Sequence, residues 1–175
     1  AIYIVRDPRN VITSLTHHYS LSYENAYDKL MDDNSNLLEK TTENDHSNFT
    51  FLGSWANHYK SWKNYKDFEI LFIKYEDLEK EKYDTFKKII LFINNILKKN
   101  NKIDEKKLLN SINSTNFNNL KNKEENEGFE ESVYSKETGE KKRFFNLGFN
   151  NRWEKILPKD ILNKLNHNLQ NELNE

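Results

Sequence analysis

Short apolar stretches alternate with long polar ones along this chain, and the spacing of the apolar positions predicts many helices and two strands. Ala1 to Val5 is an apolar run with β-branched residues, the pattern of a buried strand. Asp7 suits an N-cap and Pro8 the first helical position, so a helix is expected from there past Tyr19. Ser22 to Leu38 reads as one or two short polar helices, and Glu39 to Asn48 as a polar connector. Trp55, His58, Tyr59 and Trp62 then recur at i, i+3, i+4 and i+7, which places them on one helical face expected to be buried. Core packing for the rings and a hydrogen-bonded core site for His58 are the ordinary roles for such a face, ahead of catalysis.

Phe68 to Tyr75 reads as a second strand, ending in a new corner at Tyr75-Glu76-Asp77-Leu78. Tyr83, Phe86, Ile90, Ile93 and Leu97 recur at helical spacing, and Asp104 caps a further helix with Leu108, Leu109 and Ile112 expected inward. Leu120 to Arg143 is charged, holds two glycines and keeps no sustained period, so it reads as a mobile loop. After Pro158 a closing helix carries the stripe Ile161, Leu165 and Leu169. Strands that feed helices imply an α/β fold, with helices covering a short parallel sheet.

Composition narrows the function classes. The 175 residues suffice for one domain with a core, but hydrophobic residues make up only 35% and the mean hydropathy is −0.98. Aromatic residues, at 13%, must supply much of the burial, and they are too many for a disordered chain. Lys and Arg total 27 against 28 Asp and Glu, a formal charge of −1, so no general polyanion-binding surface is implied and no nucleic-acid partner is expected. An anionic ligand must therefore be held by a local cluster. The absence of cysteine excludes disulfides, thiol catalysis and cysteine metal sites while leaving the compartment open; a cytoplasmic location is the expectation. No apolar run reaches transmembrane length, and no signal pattern opens the chain. Because the first residues read as a core strand, the chain is expected to be a fragment whose N-terminal part is missing or processed away.

The stretch Tyr3 to Ser14 carries the clearest chemistry. It runs from a strand's carboxyl end through a corner into a helix, where N–H groups and the helix dipole favour an anion. Arg6 offers a bidentate partner to such a group. Ser14, two turns into the helix, shares a face with Asn10 and presents a hydroxyl. The competing reading is that Arg6 pairs with a surface carboxylate and that Asp-Pro is an ordinary helix start.

Taken together, these segments resemble the C-terminal half of a sulfotransferase that uses 3′-phosphoadenosine 5′-phosphosulfate, over nearly the whole chain. Tyr3-Ile4-Val5-Arg6-Asp7-Pro8 through Ser14 resembles the family's 3′-phosphate segment, which implies that Arg6 and Ser14 hold that phosphate. Gly53-Ser54-Trp55 with His58 and Trp62 resembles a helix of many members. Ile73-Lys74-Tyr75-Glu76-Asp77-Leu78 is similar to the strand ending in Tyr-Glu-Asp, and implies an adenine-side contact for Tyr75. Ser114-Thr115-Asn116-Phe117 followed by Leu120 resembles the segment that meets the adenosine, with Phe117 stacking on the base and Thr115 beside it; a plain role for Phe117 as a core contact stands equally open. Phe144-Phe145-Asn146-Leu147-Gly148 with Trp153 matches the late cofactor loop in spacing, but Asn146 and Leu147 stand where many members have Arg-Lys before Gly148. Lys142 or Arg143, or backbone N–H groups arranged as a nest, would have to replace those cations.

The resemblance implies a three-layer P-loop-type fold with a parallel sheet, of which residues 1–175 form a single partial domain, an incomplete and helix-rich C-terminal portion. It implies sulfuryl transfer to a hydroxyl or amine acceptor on a small molecule, glycan or lipid, without a metal. In the family the phosphosulfate loop and catalytic base lie upstream of the opening strand, and His17 and His18 do not match that base. The chain alone is therefore expected to be inactive. Two other readings stay open: a nucleotide-binding or interaction module without catalysis, and a P-loop kinase fragment, which would need acidic magnesium ligands near the phosphates.

Overall fold

In the computed structural model, residues 1–39, 48–135 and 138–174 are described. In chain order the elements are β1 (Ile2–Val5), α1 (Pro8–Tyr19), α2 (Tyr23–Met31), β2 (Asn36–Glu39), β3 (Asn48–Phe51), α3 (Trp55–Asn64) and β4 (Leu71–Lys74). There follow α4 (Tyr75–Lys80), α5 (Lys82–Ile96), α6 (Glu105–Ser114), α7 (Phe117–Glu127), α8 (Trp153–Ile156), α9 (Lys159–Asn168) and α10 (Gln170–Leu173). The chain divides into two compact units, Ala1–Arg6 with Phe68–Asn151, and Asp7–Asp67 with Arg152–Glu175.

The first unit is built on parallel pairing of β1 with β4, in the register Ile2↔Leu71 through Val5↔Lys74. The α/β expectation, helix-rich with a parallel sheet, is met. Burial differs from expectation: Ile4 is 51% exposed and Ile2 also faces out, because successive side chains point to opposite faces of the strand and only the Tyr3 and Val5 face is partly covered. The second strand is also shorter than expected, since Tyr75 already belongs to α4 and Phe68 is exposed. Helix α5 forms where its periodicity places it and packs on β4, α4 and α6, yet Phe86, Ile93 and Leu97 remain exposed. Its apolar stripe is wider than those three neighbours cover. In α6 Asp104 caps the Lys107 N–H as expected and Leu108 is buried, but Leu109 is 48% exposed rather than inward.

The largest correction concerns Leu120 to Arg143. Residues up to Glu127 continue α7, which starts at Phe117 behind an Asn116 cap that accepts from the Asn119 N–H. The helix has no apolar stripe to announce it, because the side chain it buries is a carboxylate, Glu124. Beyond Gly128, Tyr134 and Lys141 form an isolated antiparallel bridge.

The second unit holds most of the buried apolar side chains. Ile12 of α1, Ala26 and Leu30 of α2, and Leu157, Ile161, Leu165 and Leu169 around α9 form one cluster, with Trp55 and Trp153 packed against it. The stripe expected after Pro158 is thus core. Helix α1 begins at Asp7, whose side chain accepts from the Arg9 N–H, with Pro8 in the first turn. It stops at Tyr19 instead of running on, because Ser20 turns left-handed at φ 56°. Leu37 lies in β2, not in a helix, and β2 pairs antiparallel with β3; the expected connector between them is largely residues 40–47, outside the described residues. Trp55, His58, Tyr59 and Trp62 do share a face of α3, but they are half-buried, not buried.

Candidate nucleotide site

The register of β1 against β4 has a direct consequence at the carboxyl ends. Val5 lies opposite Lys74, so the next residues along the two parallel strands, Arg6 and Tyr75, emerge side by side. The Arg6 guanidinium carbon stands 4.3 Å from the centre of the Tyr75 ring, a cation–π contact. Burial pushes the Tyr75 phenol above its ordinary value, against the opposing pull of Arg6, with Glu79 reinforcing the upward shift. Tyr75 therefore stays a neutral phenol at physiological pH, able to donate a hydrogen bond.

A second cluster of the same unit gathers Phe117, Phe145 and Gly148. Phe117 opens α7, and Phe145 meets it edge-on at 6.3 Å between ring centres. Gly148 has a φ of +51° and lies directly under the Phe117 ring, where an added Cβ would come within 2.7 Å of a ring carbon. Thr115 closes α6 on the exposed surface, its hydroxyl donating to the Ser111 carbonyl at 2.7 Å. Asn146 and Leu147 are exposed on the turn between, with the Asn146 N–H donating to the Phe144 carbonyl at 3.0 Å. Of the two cations considered as substitutes for Arg-Lys, Arg143 forms an ion pair with Glu125 at 3.0 Å.

Sequence reasoning missed what holds this turn. The Phe144 and Phe145 N–H groups both donate to the Glu124 carboxylate, at 2.6 and 2.9 Å, and the Ser132 hydroxyl donates at 2.8 Å. A signal was available: Phe117, Leu120 and Glu124 fall at i, i+3 and i+7, one helical face.

In the second unit, the Ser14 hydroxyl donates to the Asn10 carbonyl at 3.2 Å, which places these two residues together as their spacing predicts. Asn10 also accepts the Trp153 N–H through Oδ1 at 3.1 Å. Arg9 stacks over the Trp153 ring at 4.0 Å while its Nε and Nη2 fork onto the Asp7 carboxylate. These contacts fasten the start of α8 to the start of α1, a role for Arg9 that the sequence did not disclose. Burial lowers the His58 pKa, so this imidazole is neutral near pH 7.

Within the first unit the side chains present are the Arg6 guanidinium, the Thr115 hydroxyl, a neutral phenol at Tyr75 and a phenylalanine ring lying on a glycine. A guanidinium fork suits a tetrahedral oxyanion and the rings suit a planar base, so this donor set fits a phosphorylated aromatic nucleoside. To donate to a ligand, the Ser14 and Thr115 hydroxyls must each redirect a proton that now goes to a helical carbonyl. Among the described residues no cluster of acidic or imidazole groups is suited to a metal.

The family model of the sulfotransferase domain matches residues 1–175. The chain belongs to this family. An amine sulfotransferase of Oryctolagus cuniculus is 33% identical over 93 residues, which is 53% of this chain and 29% of the relative. A mouse sulfotransferase complexed with PAP superposes with a TM-score of 0.63 at 20% identity, over 97% of this chain and 58% of that one. A retinol dehydratase in complex with androsterone and the inactive cofactor PAP gives 0.62 at 20% identity, over 97% and 47%. The sulfotransferase chain described here thus spans between about a third and three-fifths of the relatives it matches, and it shares their fold.

Proposed function

We propose that this sulfotransferase chain is the nucleotide-binding portion of a domain that transfers a sulfuryl group from 3′-phosphoadenosine 5′-phosphosulfate to a hydroxyl or amine acceptor. The observation that carries the reading is the Arg6–Tyr75 pair at the carboxyl ends of two parallel strands, the place where open α/β sheets bind ligands. When bound, the nucleotide supplies an activated sulfuryl group whose leaving group is a phosphate. Arg6 and Ser14 hold the 3′-phosphate, Arg6 as a fork and Ser14 as a hydroxyl donor. Tyr75, kept neutral by burial, donates on the adenosine side, while Thr115 and Phe117 meet the ribose and base. The Asn146-Leu147-Gly148 turn closes over the nucleotide with the Leu147 and Gly148 N–H groups in place of cationic side chains. PAP in two solved relatives supports the choice of nucleotide, and the whole-chain family match supports the transferase class.

Calorimetric titration of 3′-phosphoadenosine 5′-phosphate, beside adenosine 5′-phosphate, into the wild type and Arg6→Ala tests this. Loss of one charged hydrogen-bond partner costs about 1.5–3 kcal/mol, roughly ten- to a hundredfold in affinity. The loss is expected for the 3′-phosphorylated nucleotide only. Equal affinity of wild type and variant, or equal affinity for the two nucleotides, would overturn the assignment.

A further inference from the structure

Glu124 is unlike the rest of its helix. Its neighbours Glu125 and Glu127 face solvent, whereas Glu124 is 7% exposed. Burying a carboxylate is costly unless its oxygens are satisfied, and here they are. One oxygen accepts both the Ser132 hydroxyl and the Phe144 N–H, and the other accepts the Phe145 N–H. Two consecutive N–H groups of one segment thus point at one side chain, which fixes the Phe144 and Phe145 peptide planes between the Lys142 N–H bond to the Val133 carbonyl and the Asn146 turn. Phe145 then meets Phe117 edge-on, and Phe129 packs against both Phe144 and Phe145, at 4.8 and 5.2 Å between ring centres. Three residues past Phe145, Gly148 arrives beneath the Phe117 ring.

Building on the nucleotide reading above, we infer that Glu124 is the positioning residue of the site: its carboxylate orders the Phe144–Gly148 segment and so sets where Phe117 lies. Ionisation is part of the device, because three donors converge on the two oxygens and a carboxyl proton would set a fourth hydrogen against them. Burial alone would raise the Glu124 pKa, but the Phe144 and Phe145 N–H groups, the Ser132 hydroxyl and the Lys141 charge outweigh it and hold the carboxyl below its ordinary range. Glutamine at 124 keeps the size but offers one acceptor oxygen and an NH2 group facing an N–H. Aspartate keeps the charge and withdraws it by one methylene.

The test combines amide hydrogen exchange at Phe144 and Phe145 with 3′-phosphoadenosine 5′-phosphate titration, on the wild type, Glu124→Gln, Glu124→Asp and, as a neighbouring control, Glu127→Gln, which faces solvent and pairs within its own helix. In Glu124→Gln both amides should exchange faster and nucleotide affinity should fall, each by about tenfold, the size of a lost charged hydrogen bond. Glu124→Asp should recover part of both, and Glu127→Gln should match the wild type. Unchanged exchange in Glu124→Gln overturns the inference; should that variant not fold, unchanged exchange in Glu124→Asp does the same. Faster exchange with wild-type affinity removes Glu124 from the site while leaving the nucleotide reading intact, whereas a wild type that binds no nucleotide overturns that reading itself.

Discussion

At Gly148 two constraints coincide, a φ of +51° and a phenylalanine ring 2.7 Å from the place a Cβ would occupy. Either alone disfavours other residues; together they require the backbone turn or the Phe117 ring to move if a methyl is added. Gly148→Ala should therefore destabilise the chain by about 1–3 kcal/mol, the usual cost of overpacking, and should weaken 3′-phosphoadenosine 5′-phosphate in parallel. Urea titration and calorimetry check the two effects, and an unchanged urea midpoint would show that the ring yields freely. Gly139, also left-handed at φ +69°, has open space around it and lacks the second constraint. Arg9 shows how one side chain can serve several contacts: it forks onto Asp7, stacks on Trp153, and its N–H meets the helix cap.

Helices of similar sequence pattern carry different loads here. α9 places Ile161 and Leu165 in the fully buried cluster, whereas α6, with an equally clear stripe, buries Leu108 and leaves Leu109 out. Leu165→Ala should accordingly cost about 2–5 kcal/mol, as a truncation in a closed core does. Leu109→Ala should stay within about 0.5 kcal/mol, as surface changes do. Chemical denaturation of the two variants under one set of conditions separates them, and equal losses would contradict the burial. α7 teaches the converse, since a helix can be real without an apolar stripe when its buried contact is ionic: the Asn116 cap, the Lys123–Glu127 pair and the Glu124 clamp support it.

For the chain as a whole, acid stability should fall in two windows. His58 has a lowered pKa in the fold, so its contribution is complete above the unfolded value near 6.5 and is lost as pH falls through the folded one. Glu124 is lowered too, so its contribution is present above about pH 4.3 and is lost below it. Urea midpoints measured from pH 7.5 to 3.5 should show both declines, and His58→Gln should flatten the first alone; an unaltered profile in that variant would remove His58 as its source. Local chemistry made much of this protein readable in advance. The Asp7-Pro8 start, the Asp104 cap, the 161/165/169 stripe and the two strands that lead to Arg6 and Tyr75 follow from caps, periodicity and β-branched runs, which act within a turn or two of chain, whereas the pairing of those strands across some seventy residues does not. The exposure of Ile4, Leu97 and Leu109, the helix around Glu124 and its grip on Phe144 and Phe145 do not follow from such signals. Those depend on which surfaces a strand or helix meets, and on a carboxylate finding N–H groups some twenty residues away, relations that exist only once the backbone has folded.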